Sequence, residues 1–532
     1  MASAGEGDKT TAPEIKIPSV NRGPTTFASL SLPFSAFTPL EKRLITFSAS
    51  FAAMFSGLSS FIYYPIIVPL STSLSVSVEL INLTLTSYLL VAAIAPSIVG
   101  DVADHSGRRP IYLITFLIYF AANLGLAMQR NYIALLLLRM MQSLGSSGWE
   151  PFLPGTITIV YGVIADVATA DERGSYVGTL MGFTNAAPCF GPIIGGVLSQ
   201  YAGWPWVFWF LAILSGSVLV GMFVFFPETA REVVGDGSIP VRGIRKTFYA
   251  MIRDKVSSHS EANQHAKVQV KFRAPNPLSC LLVLCDLNSL LIMTVGSIYY
   301  AIFSVLATSL STTLLTKYHL SYLTTGLVYL PSGVGGVIAA LFTGKSPNAQ
   351  NQTTRGSWII GRLLDIDYQV EDRRLNAPAT HETRAEKLMR FPIEKIRLQR
   401  LWYFIAINIT AMIGYGWALE ARTHLSVPLI LQFFTGSTMI AIFTICGTLL
   451  TDLNAERSAT AQAAYNITRC FASAGLIATL QPITDATGPG WCFCIYASLC
   501  ALGALLAWLL QMRGMDWRTK RRNQSTVGRS EA

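Results

Sequence analysis

Residues 100–110 read Gly100-Asp101-Val102-Ala103-Asp104-His105-Ser106-Gly107-Arg108-Arg109-Pro110, a charged turn set between the apolar runs Leu80–Gly100 and Ile111–Met128. The glycines allow a tight turn and close approach of two helices. Asp101 can cap the following helix or accept hydrogen bonds from a neighbouring one. Asp104, Arg108 and Arg109 supply charges for a salt-bridge latch, and a latch that breaks and re-forms acts as a gate.

A helix needs about 20 apolar residues to cross the hydrocarbon core of a bilayer. Working outward from the turn, twelve such runs are found: Leu44–Leu70, Leu80–Gly100, Ile111–Met128, Tyr132–Ala165 (interrupted), Tyr176–Leu198, Trp206–Phe226, Leu287–Leu310, Thr325–Thr343, Leu401–Leu419, Ser426–Leu450, Ala459–Ile483 and Trp491–Met512. Of the 532 residues 51% are hydrophobic and 13% charged, about half the charge of a soluble domain. The mean hydropathy is +0.44. This balance excludes a disordered chain, a nucleic-acid-binding domain and an ordinary cytosolic enzyme. The eight cysteines fall mostly inside apolar runs without metal-ligand or disulfide-framework spacing, so they read as small core residues. No metal site is expected. The reading is an all-α membrane protein.

The basic residues test the count. With the N-terminus in the cytoplasm, 35 of the 40 Lys and Arg fall on the cytoplasmic side, and only Arg130, Lys317 and Arg422 lie in outer loops. Arg139 and Arg469 lie inside spans. This asymmetry follows the positive-inside rule and places both termini in the cytoplasm. The expected organisation is a tail over 1–43, a six-helix bundle over 44–227, a central loop over 228–286 and a second bundle over 287–512. A long loop over 345–400 interrupts the second bundle, and a tail over 513–532 ends the chain. The loops are basic enough to suit an anionic inner leaflet, although plain solvated connectors are the favoured reading. The N-terminal stretch lacks the pattern of a cleavable signal, so the first span serves as the insertion signal.

The length, order and position of the 100–110 turn resemble the signature hairpin of the major facilitator superfamily. Gly361-Arg362-Leu363-Leu364-Asp365 follows the eighth span, where Gly361 and Asp365 repeat the spacing of Gly100 and Asp104. Such an echo is expected of a transporter built from two repeats. The fourth span carries Arg139-Met140-Met141-Gln142-Ser143, similar to the superfamily's Arg-x-x-Gln-Gly motif with Ser143 in place of Gly. A mid-span arginine must face a cavity or a partner. The resemblance implies a role in proton coupling, while a structural arginine bonding backbone carbonyls is the alternative.

In the fifth span Gly174, Gly178, Gly182 and Ala186 recur at four-residue spacing, followed by Pro188-Cys189-Phe190-Gly191-Pro192-Ile193-Ile194-Gly195-Gly196. Small residues let helices approach closely, and prolines remove backbone hydrogen bonds. Gly191, Pro192, Gly195 and Gly196 resemble the signature of drug–proton antiporters, which implies export. Ser59-Ser60-Phe61-Ile62-Tyr63-Tyr64-Pro65, Arg173-Gly174-Ser175-Tyr176, Pro227-Glu228-Thr229, Val234-Gly235-Asp236-Gly237-Ser238-Ile239-Pro240 and Phe391-Pro392-Ile393-Glu394 are similar to the fungal drug–proton antiporter-1 group, the quinidine-resistance-type exporters. The resemblance runs from Thr38 to Arg513. It implies the superfamily fold, twelve helices in two pseudo-symmetric six-helix bundles.

Two stretches depart from that pattern. Trp149-Glu150-Pro151-Phe152-Leu153-Pro154-Gly155 interrupts the fourth span with a carboxylate and helix breakers. Three readings compete: a proton-coupling carboxylate in a broken helix, a bulge in a cavity wall, or an error in the coding sequence. The second departure, 346–360, follows Gly344-Lys345 and is compatible with a retained intron.

The coupling candidates are Asp101, Arg139 and Glu150. Arg469 lies one turn after Asn466 in the eleventh span and either binds an anionic or carbonyl-bearing cargo or pairs with backbone. The expected cavity wall comprises Tyr63, Tyr64, Gln142, Asn185, Tyr299, Tyr300, Phe303, Phe433, Asn466 and Arg469, although aromatic residues also populate lipid-facing belts. The function expected is export of drugs, toxins or secondary metabolites in exchange for protons by alternating access. A monomer is expected, with no cofactor and no nucleic-acid partner, powered by the proton gradient and resident in the plasma or vacuolar membrane. The competing readings are proton-coupled uptake of an organic solute and a non-transporting sensor on the same scaffold. An enzyme is not expected.

Overall fold

A computed structural model describes residues 35, 37–146, 160, 163–164, 166–168, 173–235, 246–248, 283–343, 393–454 and 458–530. Within them the regular structure is helical, and nine helical stretches are long and apolar enough to cross a membrane, one of which, Thr460–Thr519, holds the last two spans. The remaining spans are occupied too. The fourth is seen as Tyr132–Ser146 and the fifth as Arg173–Tyr201, while the eleventh and twelfth form the single run Ser458–Ser530. That run is broken at Gly488, whose φ of +77° stands just before Pro489 and separates the eleventh span from the twelfth.

Local chemistry accounts for the boundaries. Thr38 opens the first span with a capping box: its hydroxyl accepts from the backbone N–H of Glu41, and the Glu41 carboxylate accepts from the backbone N–H of Thr38. The first span runs as Pro39–Phe61, tightens to a 3₁₀ turn at Tyr64–Ile66 and resumes as Ile67–Leu74. Pro65 explains the change, because its nitrogen cannot donate. Asp286 caps the seventh span, Leu287–Lys317, by accepting from Ser289. The eighth span is split into Tyr322–Leu327 and Leu330–Thr343.

Pairings within the first half recur within the second. The first span packs on the fifth, and the seventh on the eleventh. The third packs on the sixth and the ninth on the twelfth, while the second packs on the fourth and the eighth on the tenth. Close approach between spans, here the third with the fourth and the ninth with the twelfth, depends on missing side chains. A Cβ at Gly145 would lie 2.5 Å from the backbone nitrogen of Tyr119, and one at Gly416 would lie 2.6 Å from the Cβ of Phe493.

The halves meet along two seams. In one, the second span lies against the eleventh: Thr86 Oγ1 donates to the carbonyl of Ala474, and Asn466 Nδ2 donates to the carbonyl of Ala92. In the other, the fifth span lies against the eighth, and the backbone N–H of Tyr322 donates to Gln200 Oε1 at 3.1 Å. This second seam reaches the end of the bundle where the first span stops at Leu74 and the seventh at Lys317.

Candidate functional site

The 100–110 turn is built on a carboxylate from elsewhere in the chain. The second-span helix Val78–Ser106 contains Gly100, Asp101 and Asp104 in its last turns; the side chains of the two aspartates lie outside the described residues. Gly107 then adopts φ +104°, a left-handed region that favours glycine. A Cβ there would stand 2.5 Å from Glu228 Oε2. The third span, Arg108–Met128, begins immediately, and its unpaired N-terminal donors find Glu228. Glu228 accepts from the backbone N–H of Arg108 at 2.7 Å and of Arg109 at 3.3 Å, and also from Thr229 and Ala230. The negative carboxylate also opposes the positive end of the helix dipole. The Arg108 side chain pairs with Asp166 at 3.4 Å, and Arg109 donates to the carbonyl of Phe223. The third, fourth and sixth spans are thereby tied together on one face.

Arg139 is fully buried in the fourth span. Its Nη1 donates to Gln142 Oε1 and to the carbonyl of Ser59, and its guanidinium lies 4.1 Å from the ring centre of Tyr63 and 4.5 Å from that of Tyr88. Gln142 passes the network on, donating to Asn123 Oδ1 at 2.7 Å, while Asn123 donates to the carbonyl of Tyr119. The hydroxyls of Tyr119 and Ser59 share a 2.5 Å hydrogen bond. Tyr63 is held by Thr84, and Tyr88 by Ser146 and the carbonyl of Ser56. Two guanidinium nitrogens of Arg139, Nε and Nη2, have no hydrogen-bond partner among the described atoms. A buried ion costs several kcal/mol, and a desolvated cation–π contact returns about 2 kcal/mol.

Arg469 repeats this arrangement in the second half. It is 1% exposed, and its Nε and Nη2 donate to Asn466 Oδ1 at 3.0 and 2.8 Å. Its guanidinium lies 4.5 Å from the ring centre of Tyr300 and 6.0 Å from that of Phe443. Because Asn466 also donates to the carbonyl of Ala92, this arginine sits beside the seam between the halves.

Between the halves lie two adjoining cavities that share Phe61, Tyr300 and Phe303. One, with about 20 Å³ of free space, adds Ser60, Tyr64, Tyr88, Ser304 and Ile477 among its walls. The other, also with about 20 Å³ of free space, adds Pro188, Ser332, Val337, Met439 and Ile440. Of the expected wall residues, Tyr64, Tyr300 and Phe303 therefore line the cavities. Tyr63 and Gln142 lie behind the wall in the Arg139 network, and Asn466 lies with Arg469. Tyr299 faces away, donating its hydroxyl to the carbonyl of Cys500 in the twelfth span. Phe433 packs beside Gly335 and Phe434. The side chain of Asn185 and the whole of Glu150, Gly361 and Asp365 lie outside the described residues.

The fifth-span glycines face two neighbours, the first span within their own half and the eighth span across the seam. A Cβ at Gly191 would lie 2.9 Å from Phe61 Cβ, and one at Gly195 would lie 2.3 Å from the carbonyl oxygen of Ile62, so both press on the first span. Gly196 faces the eighth span, where its Cβ would lie 2.6 Å from the carbonyl oxygen of Tyr322. Pro192 turns its carbonyl toward Gly326. Tyr64 stacks on Tyr329 next to this seam, with ring centres 5.8 Å apart. Glu228, Asp166, Tyr88 and Asn123 were not singled out by motif reading. Glu228 falls within the family-like stretch Pro227-Glu228-Thr229.

Residues 49–356 match the family described as Major Facilitator Superfamily. The MFS-type transporter phiD of a fungal species (strain ATCC 74256) is 37% identical over 91% of this chain and 70% of its own length. Citrate exporter 1 of Aspergillus niger is 34% identical over 92% of this chain and 89% of its own. In three dimensions the crystal structure of a D-xylose–proton symporter aligns with a TM-score of 0.58 at 14% identity, covering 87% of this chain and 96% of that one, a likeness of fold alone. With its helices, its seams and these relatives in agreement, the chain belongs to the major facilitator superfamily, as a multi-pass membrane transporter and not an enzyme.

Proposed function

We propose that the protein exports a small organic molecule, a drug, toxin or secondary metabolite, in exchange for protons by alternating access, as a member of the drug–proton antiporter-1 group. The observation that carries this reading is the seating of Gly191, Gly195 and Gly196. Gly191 and Gly195 fit the fifth span against the first, and Gly196 fits it against the eighth, where the halves meet on the side away from the termini. With the termini cytoplasmic, the outer side is closed and the central cavities await cargo from within. The relatives named as exporters support the same direction.

Asp101, Arg139 and Glu150 are the proposed coupling groups, and the turn at Asp101–Arg109 the proposed inner gate, echoed at Gly361 and Asp365. The carrier works as a monomer without a cofactor, in the plasma membrane or, failing that, the vacuolar membrane. Deleting the gene and profiling retained metabolites identifies the cargo. In inside-out vesicles with an acid lumen that molecule accumulates, and in right-side-out vesicles under the mirrored gradient it does not. Accumulation confined to right-side-out vesicles would make the protein an uptake carrier, and flux indifferent to the gradient would remove the proton exchange.

A further inference from the structure

The two central cavities hold about 20 Å³ of free space each, against roughly 300–1,000 Å³ in pockets that take an organic ligand. Passage of a cargo therefore requires walls to part. Phe61 of the first span, Phe303 of the seventh and Ser332 of the eighth line one cavity together. The first and seventh spans run away from the termini and the eighth runs back, so Tyr64, Ala307 and Tyr329 stand one turn further out on the same three spans.

Those outer positions are joined across the two halves. The ring of Tyr64 stacks on that of Tyr329, with 5.8 Å between centres and 7° between planes. Each ring is also held on its own side. Tyr64 packs edge-on against Phe61 at 5.7 Å, and the Tyr329 hydroxyl donates to the carbonyl of Ala307 at 2.6 Å. Both rings are buried. Because Phe61 lines both cavities, a cargo that displaces it also moves the ring of Tyr64.

The helices are interrupted beside both rings. Tyr64 begins the 3₁₀ turn Tyr64–Ile66 inside the first span, and Tyr329 stands between Tyr322–Leu327 and Leu330–Thr343 in the eighth. A 3₁₀ stretch within a helix often marks a hinge. The outer pieces Ile67–Leu74 and Tyr322–Leu327 can thus pivot while the helices that line the cavities stay intact.

Taking the alternating-access reading as its basis, we propose that the Tyr64–Tyr329 stack is the outer lid of the cargo cavity, parting at the two helix interruptions when the outside opens. The pair positions the halves over the cargo and does not select it.

The test is labelling of full-length Ser304→Cys protein in sealed right-side-out membrane vesicles by a membrane-impermeant methanethiosulfonate. Ser304 is buried in the wall of the cavity that Tyr64 also lines, and the protein without the added cysteine gives the background. Tyr64→Ala and Tyr329→Ala should each label at least about threefold faster, the effect of losing one aromatic pair. The double variant should label no faster than the faster single one, because both remove the same stack. Tyr329→Phe keeps the ring and should stay within about twofold of the unaltered lid. Tyr299→Ala removes a buried tyrosine of the seventh span that bonds to the twelfth, and should leave labelling unchanged. In inside-out vesicles no lid variant should label faster than the unaltered lid. Thermal melting in detergent checks folding; if Tyr329→Ala fails to fold, Tyr64→Ala and Tyr64→Leu decide. Unchanged outer labelling in folded lid variants, equal acceleration by Tyr299→Ala, faster labelling from both faces, or no labelling above background in any protein would overturn the proposal. Labelling is read without cargo or gradient. A wrong lid therefore leaves vesicle export intact, and a failure of the export direction leaves the labelling pattern intact.

Discussion

The carboxylate of Glu228 caps a helix that begins 120 residues earlier in the chain, accepting from the backbone N–H of Arg108 at 2.7 Å. The gate-like turn is thus founded on the end of the sixth span, with Gly107 leaving room for the carboxylate. Its two arginines are engaged separately, Arg108 by Asp166 and Arg109 by the carbonyl of Phe223.

Removing that acceptor should be costly. Glu228→Ala leaves buried N–H donors unsatisfied, at about 1–3 kcal/mol for each such group. Glu228→Gln keeps one acceptor oxygen and should fall between Ala and wild type. Melting temperatures in detergent should rank wild type, Gln, Ala. Equal melting of all three would show that the cap contributes nothing.

The fifth-span seam makes a steric prediction. A methyl group at Gly195 would sit 2.3 Å from the carbonyl oxygen of Ile62, a backbone atom that cannot swing aside. Gly195→Ala should cost about 1–3 kcal/mol through overpacking and reduce flux. Gly182→Ala, where an added Cβ meets nothing within 4 Å, serves as the control and should be silent. Similar behaviour of the two variants in melting and transport assays would refute the close seam.

How much of this was legible in the sequence depends on the kind of contact. Apolar runs and the 100–110 turn located the spans, because burial in lipid imposes length and composition directly. Which face of a helix meets which neighbour was harder to read. Tyr299 and Tyr300 are adjacent, yet about 100° of helical rotation sends one to the twelfth span and the other to the cavity. Glu228 was invisible as a cap because its partners are remote in sequence. Arg139 and Arg469 stood out as lone charges in apolar runs, but the tyrosines that carry them came from other helices.

The Arg139 network yields a kinetic prediction. Arg139→Ala should abolish transport while the protein still inserts. Arg139→Lys should restore little, because an ammonium lacks the planar fork that reaches Gln142 and Ser59 and stacks between two rings. Asp101→Asn should likewise abolish flux with insertion intact. Cell-surface labelling with parallel flux assays checks all three. Wild-type flux in either Arg139→Ala or Asp101→Asn would remove the role assigned to that residue.

Outside the spans, Glu394 and Arg518 form a buried pair at 3.4 Å. Burial raises the Glu394 carboxyl above its ordinary value of 4.5, and the positive charge of Arg518 opposes that rise. For an acid whose folded value is raised, ionisation is easier in the unfolded chain, so stability falls as pH climbs from 4.5 through the folded value and is level above it. Glu394→Gln lacks this dependence. The melting temperature of the variant minus that of wild type should therefore increase over that interval as pH rises. A flat difference from pH 4.5 to neutrality would contradict the assignment.

Alternating access requires the seam at Gln200 and Tyr322, which joins the fifth and eighth spans at 3.1 Å, to open in every cycle. The direct measurement is flux through a Gln200→Cys/Tyr322→Cys protein in sealed liposomes, with the exposed natural Cys285 replaced by Ser. Oxidation should lock the pair and stop transport, and a reductant should restore it. Undiminished transport by fully cross-linked protein would contradict the account.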